Sequence, residues 1–170
     1  LLEAQKVAWG ASGRNGGQVC QGHNMSHQDM IAKVGKEAAD LLWQMSIDSV
    51  DLVKALIEKH QIQCDLKQGV LHVANRAKHC DGLKRSVDYK QNKLNYPDIE
   101  YLGKDDVSAM LGSENYHGGE YWKQGAHLHP LNYALGLAQA ADNAGVRIFE
   151  DSRVTDYKTG TQSLTDTEKG

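Results

Sequence analysis

The chain has 170 residues, 24 % of them charged and 40 % hydrophobic, with 19 Lys and Arg against 22 Asp and Glu for a net charge of −3. A domain of this length buries roughly two-thirds of its unfolded surface, and the composition is too apolar for disorder, so the chain is expected to fold. No Lys/Arg-rich run offers a basic surface to nucleic acid, and no stretch reaches the roughly 18 apolar residues that span a bilayer, so neither partner is expected and a cytoplasmic location is favoured.

The chain opens on Leu1-Leu2-Glu3-Ala4, which reads as the end of a buried strand whose upstream part is missing. Residues 10–22 hold five glycines among Ala, Ser, Asn and Gln, and are expected to form a loop with unusual dihedrals. Ser26 is a credible N-cap for a long helical pattern over 28–60, with Ile31, Val34, Ala38, Leu41, Leu42, Met45, Val53, Leu56 and Ile57 recurring at three and four, and a break is expected near 46–49. Cys64-Asp65-Leu66 and Val70 to Ala74 suggest two strands paired as a hairpin.

A Lys-rich helix is predicted over 77–94, a strand over 99–102 and a short helix over 104–111 with Asp105 and Asp106 in its first turn. Within 114–129, Gly118-Gly119 reads as a turn between two strands, the second ending at Pro130. Pro130 and Gly145 bracket an amphipathic helix, 131–144, followed by a strand over 146–150. The polar stretch 151–170 is expected to be a flexible tail or weak hairpin.

Chemistry concentrates at the start. A carboxylate ending a strand of a βαβ unit can accept hydrogen bonds from the two ribose hydroxyls of an adenosine, and Glu3 stands in such a position. Gly10-Ala11-Ser12-Gly13-Arg14-Asn15-Gly16-Gly17-Gln18 follows within a few residues. Its glycines allow close backbone approach to a pyrophosphate or flat ring, Ser12 adds a hydroxyl donor and Arg14 a fixed cation. The spacing is not the GxGxxG of a first βα turn.

An acidic residue on a strand followed by GASGRNGGQ resembles the D-amino-acid-oxidase-like (DAO) family of flavoproteins, most nearly its gamma-glutamylputrescine oxidase group. Gly125-Ala126-His127-Leu128-His129-Pro130-Leu131, a helix and Ala144-Gly145-Val146 are similar to that family's return from substrate domain to flavin domain. The likeness implies FAD as cofactor, with Glu3 on the ribose, Ser12 and Arg14 near the pyrophosphate, Asn15, Gly16, Gly17 and Gln18 beside the isoalloxazine ring, and Ala11 as a further cofactor-binding residue. It implies a small-molecule amine substrate, with His23, Tyr121 and His127 as pocket candidates.

The fold class that follows runs from α/β to α+β: a partial Rossmann-like FAD-binding layer, long helices and a small mixed sheet from a substrate domain. The segments are 1–62 (FAD-binding region), 63–126 (substrate-binding region), 127–150 (return to the FAD-binding region) and 151–170 (tail). By the same likeness the chain is an internal fragment lacking the GxGxxG strand and the C-terminal part, so exposed sheet edges and self-association are expected.

The implied activity is oxidation of an amine C–N bond to an imine with reduction of FAD. A quinone-linked dehydrogenase of a hydroxy or amino acid and a non-catalytic binding or assembly domain are the alternatives. Among the eight histidines, His127 and His129 would share one face of the expected strand, but no third ligand has suitable spacing, so no metal is expected. Cys20, Cys64 and Cys80 are an odd number without a CxxC spacing and read as free thiols.

Overall fold

A computed structural model describes residues 1–161 and 164–168. The fold is mixed α and β, and the chain forms two compact units. Unit 1 comprises 1–17, 54–65 and 128–170, and unit 2 comprises 18–53 and 66–127. The sequence divided the chain at 62, 126 and 150. The structure instead groups 18–53 with the sheet segments, because strand β1 (Gln18–Val19) pairs within that sheet and Trp43 packs in its core.

Unit 2 is organised by β4 (Gly118–His127), to which every other strand of its sheet is paired antiparallel. On one side lies β2 (Lys67–Val73); on the other, β3 (Ile99–Gly103) and β1 pair with opposite ends of β4. The sequence reading of two strands turning at Gly118-Gly119 is therefore corrected. These glycines are inside one extended strand, and they are small because a Cβ on Gly118 would lie 2.2 Å from the Tyr101 hydroxyl. The expected Cys64–Ala74 hairpin is also absent: Asp65 takes a positive φ of 51°, which ends extended pairing, and β2 bonds to β4 instead.

Helix α1 (His27–Val34) starts as expected at Ser26, whose hydroxyl accepts from the Asp29 N–H and donates to its carboxylate. The helix stops at Gly35 (φ 82°), and α2 (Lys36–His60) continues unbroken for 25 residues. The break expected near 46–49 does not occur, because the Ser46 and Ser49 hydroxyls donate back to the Trp43 and Ser46 carbonyls and leave the helical ladder intact. Helices α3 (Cys80–Lys93, entered by a short 3-10 turn) and α4 (Lys104–Leu111) form where the pattern placed them.

The core of unit 2 joins Trp43 of α2, Val87 of α3, Tyr96, Ile99 of β3 and Trp122 of β4. The Trp43 ring meets Tyr96 edge-on at 5.8 Å between centres, and Tyr96 and Trp122 lie 5.8 Å apart, separations at which aromatic pairs add to plain area burial. Burial pushes the Tyr96 phenol up to about 12.

In unit 1 the opening and closing segments meet. Leu2 and Phe149 form a parallel bridge, with Glu3 N–H donating to the Phe149 carbonyl and Phe149 N–H to that of Leu1. The expected strands at 1–4 and 146–150 thus shorten to this bridge, with Leu1, Leu2, Val146 and Phe149 exposed around it. Between those segments in sequence runs α5 (Pro130–Asn143), with Pro130 in its first turn and His129 as N-cap, its ring accepting from the Asn132 N–H.

His129 is therefore not on a strand beside His127, since β4 ends at His127. The closing segment forms an antiparallel hairpin of β5 (Val154–Lys158) and β6 (Leu164–Thr167), while the parts of the expected tail at 162–163 and 169–170 are outside the described residues. Among the described residues, no helix is long and apolar enough to cross a membrane.

Candidate functional site

Residues 3–7 of unit 1 are tied down by polar bonds from a segment about 145 residues later. Lys6 pairs with Glu150 at 3.1 Å and Asp151 at 2.8 Å, and the Val7 N–H donates to Glu150 at 2.8 Å. The Val7 N–H and then Lys6 hold the Glu150 carboxyl below its usual range, while Asp151 and Glu150 raise the Lys6 ammonium. The Asp151 and Ser152 N–H groups donate to the carbonyls of Gln5 and Glu3. These ties fix the backbone that presents Glu3.

The Glu3 carboxylate is half-buried and uses one oxygen to accept from the Gln5 N–H at 2.8 Å. Among the described residues its other oxygen accepts no hydrogen bond. After Gln5 the chain turns through Ala8, held at a positive φ of 60°, into a 3-10 turn over Ala11–Gly13. Asn15 then closes the loop from inside: its amide donates to the carbonyls of Ala11 and Ser12, and its side-chain oxygen accepts from the Gly17 N–H. That is the behaviour of a turn-forming Asn.

Two glycines of this loop answer to the chain itself. A Cβ on Gly13 would meet the Ala8 carbonyl oxygen at 2.2 Å, and one on Gly17 would meet that of Leu128 at 2.0 Å. Gly17 is also buried at φ 72°, and its carbonyl accepts from the Leu128 N–H. Their bareness permits close self-packing, whereas Gly10 faces open space.

That open space belongs to a concavity of about 610 Å³ lined by Glu3, Gln5, Trp9, Gly10 and Ser12, with Ala134 and Leu137 of α5 and Arg153 closing it. The carboxylate at residue 3 and the glycine-rich turn therefore share one cavity. Arg14 stands over the Trp9 ring at 4.7 Å, within cation–π reach. Ala11, Asn15 and Gly16 are exposed parts of the turn outside the lining, and Gln18 belongs to β1 of unit 2.

The three substrate candidates do not form one cluster. His23 bonds to the Leu42 carbonyl at 3.0 Å and lines a larger cavity in unit 2, about 730 Å³, together with Glu120 and Trp122. Tyr121 lies between those two on β4 and so points to the opposite face of the sheet. His127 is exposed at the end of β4.

Sequence reasoning missed Gln5, Trp9 and Arg153. An exposed Trp immediately before the glycines was a usable signal for the second, whereas Arg153 reaches the cavity only through folding. Among the described residues Cys20, Cys64 and Cys80 form no disulfide, and no group of three or more His, Cys, Asp or Glu that could hold a metal occurs.

A family model described as FAD dependent oxidoreductase (DAO) matches residues 1–170. Probable oxidoreductase OrdL of Haemophilus influenzae is 39 % identical over 156 residues, covering 92 % of this chain and 36 % of the relative. Gamma-glutamylputrescine oxidoreductase of Escherichia coli is 32 % identical over 172 residues, covering 100 % of this chain and 40 % of the relative. The chain thus spans less than half the length of these relatives. Glycine oxidase from Geobacillus kaustophilus superposes with a TM-score of 0.74 at 21 % identity, over 99 % of this chain and 44 % of that one, a likeness of fold.

Proposed function

The chain belongs to the FAD-dependent oxidoreductase (DAO) family, and from that premise we propose that it is part of an enzyme that oxidises the carbon–nitrogen bond of an amine or amino acid. The observation that carries the reading is the cavity common to Glu3, Gly10 and Ser12. Its residues fit the adenosine and pyrophosphate part of FAD. Glu3 keeps one carboxylate oxygen without a partner among the described residues, open to ribose hydroxyls, and a carboxylate acceptor makes the stronger kind of hydrogen bond.

Ser12 supplies a hydroxyl on the same wall, Trp9 a flat apolar surface, and Gly10 leaves the space in which a side chain would obstruct a ligand. Arg14, held against Trp9, places a cation beside the cavity wall where it would offset phosphate charge. Asn15 acts on the loop by fixing the turn that carries Ser12 and Arg14. FAD supplies, when bound, the two-electron acceptor for oxidising the carbon that bears nitrogen to an imine. Orienting that carbon and keeping its amine unprotonated is the protein's share of the task, and no side-chain base is assigned.

The finer reading is a gamma-glutamylated diamine, the type of substrate named by the Escherichia coli relative. The test is anaerobic mixing of the whole flavoprotein with candidate substrates while flavin absorbance is followed. Bleaching by gamma-glutamylputrescine or another primary amine supports the proposal. Bleaching by hydroxy acids alone would replace it with a dehydrogenase of that class.

A further inference from the structure

The cavity of unit 2 is formed entirely by that unit, and the reading above does not use it. Its walls include Gln21, Trp43 of α2, Tyr89 and Lys90 of α3, and Glu120 and Trp122 of β4. About 730 Å³ falls inside the roughly 300–1,000 Å³ typical of small-molecule sites, which combine apolar walls with a few polar groups.

Glu120 is the unusual member. A carboxylate on the central strand, only 2 % exposed, is costly to bury unless its charge and lone pairs are met. Lys90 meets part of that need, donating to one Glu120 oxygen at 3.0 Å. The remaining capacity of Lys90 is committed elsewhere, since its ammonium also donates to the Ser86 hydroxyl and stands 4.7 Å from the Trp122 ring centre.

A carboxylate offers about four lone-pair directions, and this one uses a single bond, its second oxygen accepting nothing among the described residues. Gln21, buried at 6 % exposure, carries another acceptor, Oε1, which has no hydrogen-bond partner and is itself enclosed. Glu120 is thus the charged acceptor of this cavity with capacity that the described residues leave unused.

Donors are scarcer. The Tyr89 hydroxyl is engaged with His27 Nδ1 at 3.0 Å and the His23 ring with Leu42 at 3.0 Å, while Arg85 is exposed on the wall. The indole N–H groups of Trp43 and Trp122 are unpartnered but fully enclosed. An unused carboxylate oxygen beside aromatic faces suits a cation with several N–H donors, because the carboxylate takes the hydrogen bonds and the rings take the charge.

We propose that this cavity binds a small primary ammonium compound, its charged head on the free oxygen of Glu120 and its carbon chain along Trp43 and Trp122. The proposal stands independently of the cofactor assignment, so it is tested without flavin. Propylammonium and butyrate are titrated separately into the 170-residue chain and followed by ligand-observed NMR. Saturable propylammonium binding, with butyrate at least about tenfold weaker, is the expected result, since a hydrogen bond to a charged group changes affinity by about tenfold or more.

Glu120→Gln alone strands the Lys90 charge, so the informative variant is Lys90→Met with Glu120→Gln, which removes both charges together. It is expected to retain the native circular dichroism spectrum and lose about tenfold or more of the propylammonium affinity. Gly82→Leu supplies a second variant: Gly82 lines the cavity from α3 with nothing within 4 Å of its Cβ direction, so a helix-favouring side chain there obstructs ligand without a clash. No saturable ammonium binding, equal binding of butyrate, or undiminished affinity in either folded variant overturns the proposal.

Discussion

Gly17→Ala is expected to unfold much of the stability that the glycine-rich turn contributes, and its magnitude follows from three observations. The residue sits at φ 72°, where a Cβ costs about 1–2 kcal/mol. The added carbon would lie 2.0 Å from the Leu128 carbonyl oxygen, whereas real Cβ contacts stay beyond 3.0 Å, so one backbone must yield by about 1 Å.

That displacement strains the Leu128 N–H bond to the Gly17 carbonyl, 3.0 Å long and worth about 1 kcal/mol. Together the loss is about 3–4 kcal/mol, a large part of the roughly 5–15 kcal/mol of a typical domain. Gly10→Ala is the internal control, because Gly10 has φ −81° and open space around its Cβ direction. Urea unfolding followed by circular dichroism should show the midpoint falling by more than about 1 M for Gly17→Ala and remaining unchanged for Gly10→Ala. Two variants within about 0.5 kcal/mol of each other would refute the geometric argument.

Glu120→Ala should destabilise the chain by up to about 3–5 kcal/mol by leaving the part-buried Lys90 without its partner, while Lys90→Met with Glu120→Gln should cost less than about 1 kcal/mol; equal losses in urea melts would show that the pair is not coupled. For Tyr96, the neutral phenol is favoured in the fold and its pKa rises from 10.0 to about 12. Its stabilising effect is therefore complete below pH 10 and is lost as pH rises through 12, at most about 2–3 kcal/mol. Tyr96→Phe should flatten that alkaline decline in thermal melts, and an unchanged decline would assign it to other groups. At the Leu2–Phe149 bridge, exposed apolar residues should drive the 170-residue chain to associate, and a monomer mass by size-exclusion light scattering at both low and high concentration would contradict this.

Much of the helical architecture was legible locally. Ser26, the Asp pair at 105–106 and the Pro130–Gly145 bracket mark helix ends through their own hydrogen bonding and dihedral preferences, and α1, α4 and α5 lie where those signals put them. The strands were less legible because their partners are distant. Gly118-Gly119 carries the composition of a turn, yet the neighbouring Tyr101 ring and β2 make small residues necessary inside a strand.

The same distinction applies to function. Glu3 and the turn after it are close enough in sequence for their pairing to be legible there, whereas Arg153 and the contributions of α5 enter that cavity only by folding. The Lys90–Glu120 pair, thirty residues apart on a helix and a strand, left no periodic trace at all.

The most direct test is the FAD affinity of the whole protein, measured by quenching of flavin fluorescence during titration of the apoprotein, with Glu3→Gln compared against the wild type. Replacing the ionised acceptor should weaken FAD binding by about tenfold or more while leaving the circular dichroism spectrum unchanged. Equal affinities for the two proteins would show that the residue 3 carboxylate does not hold the cofactor.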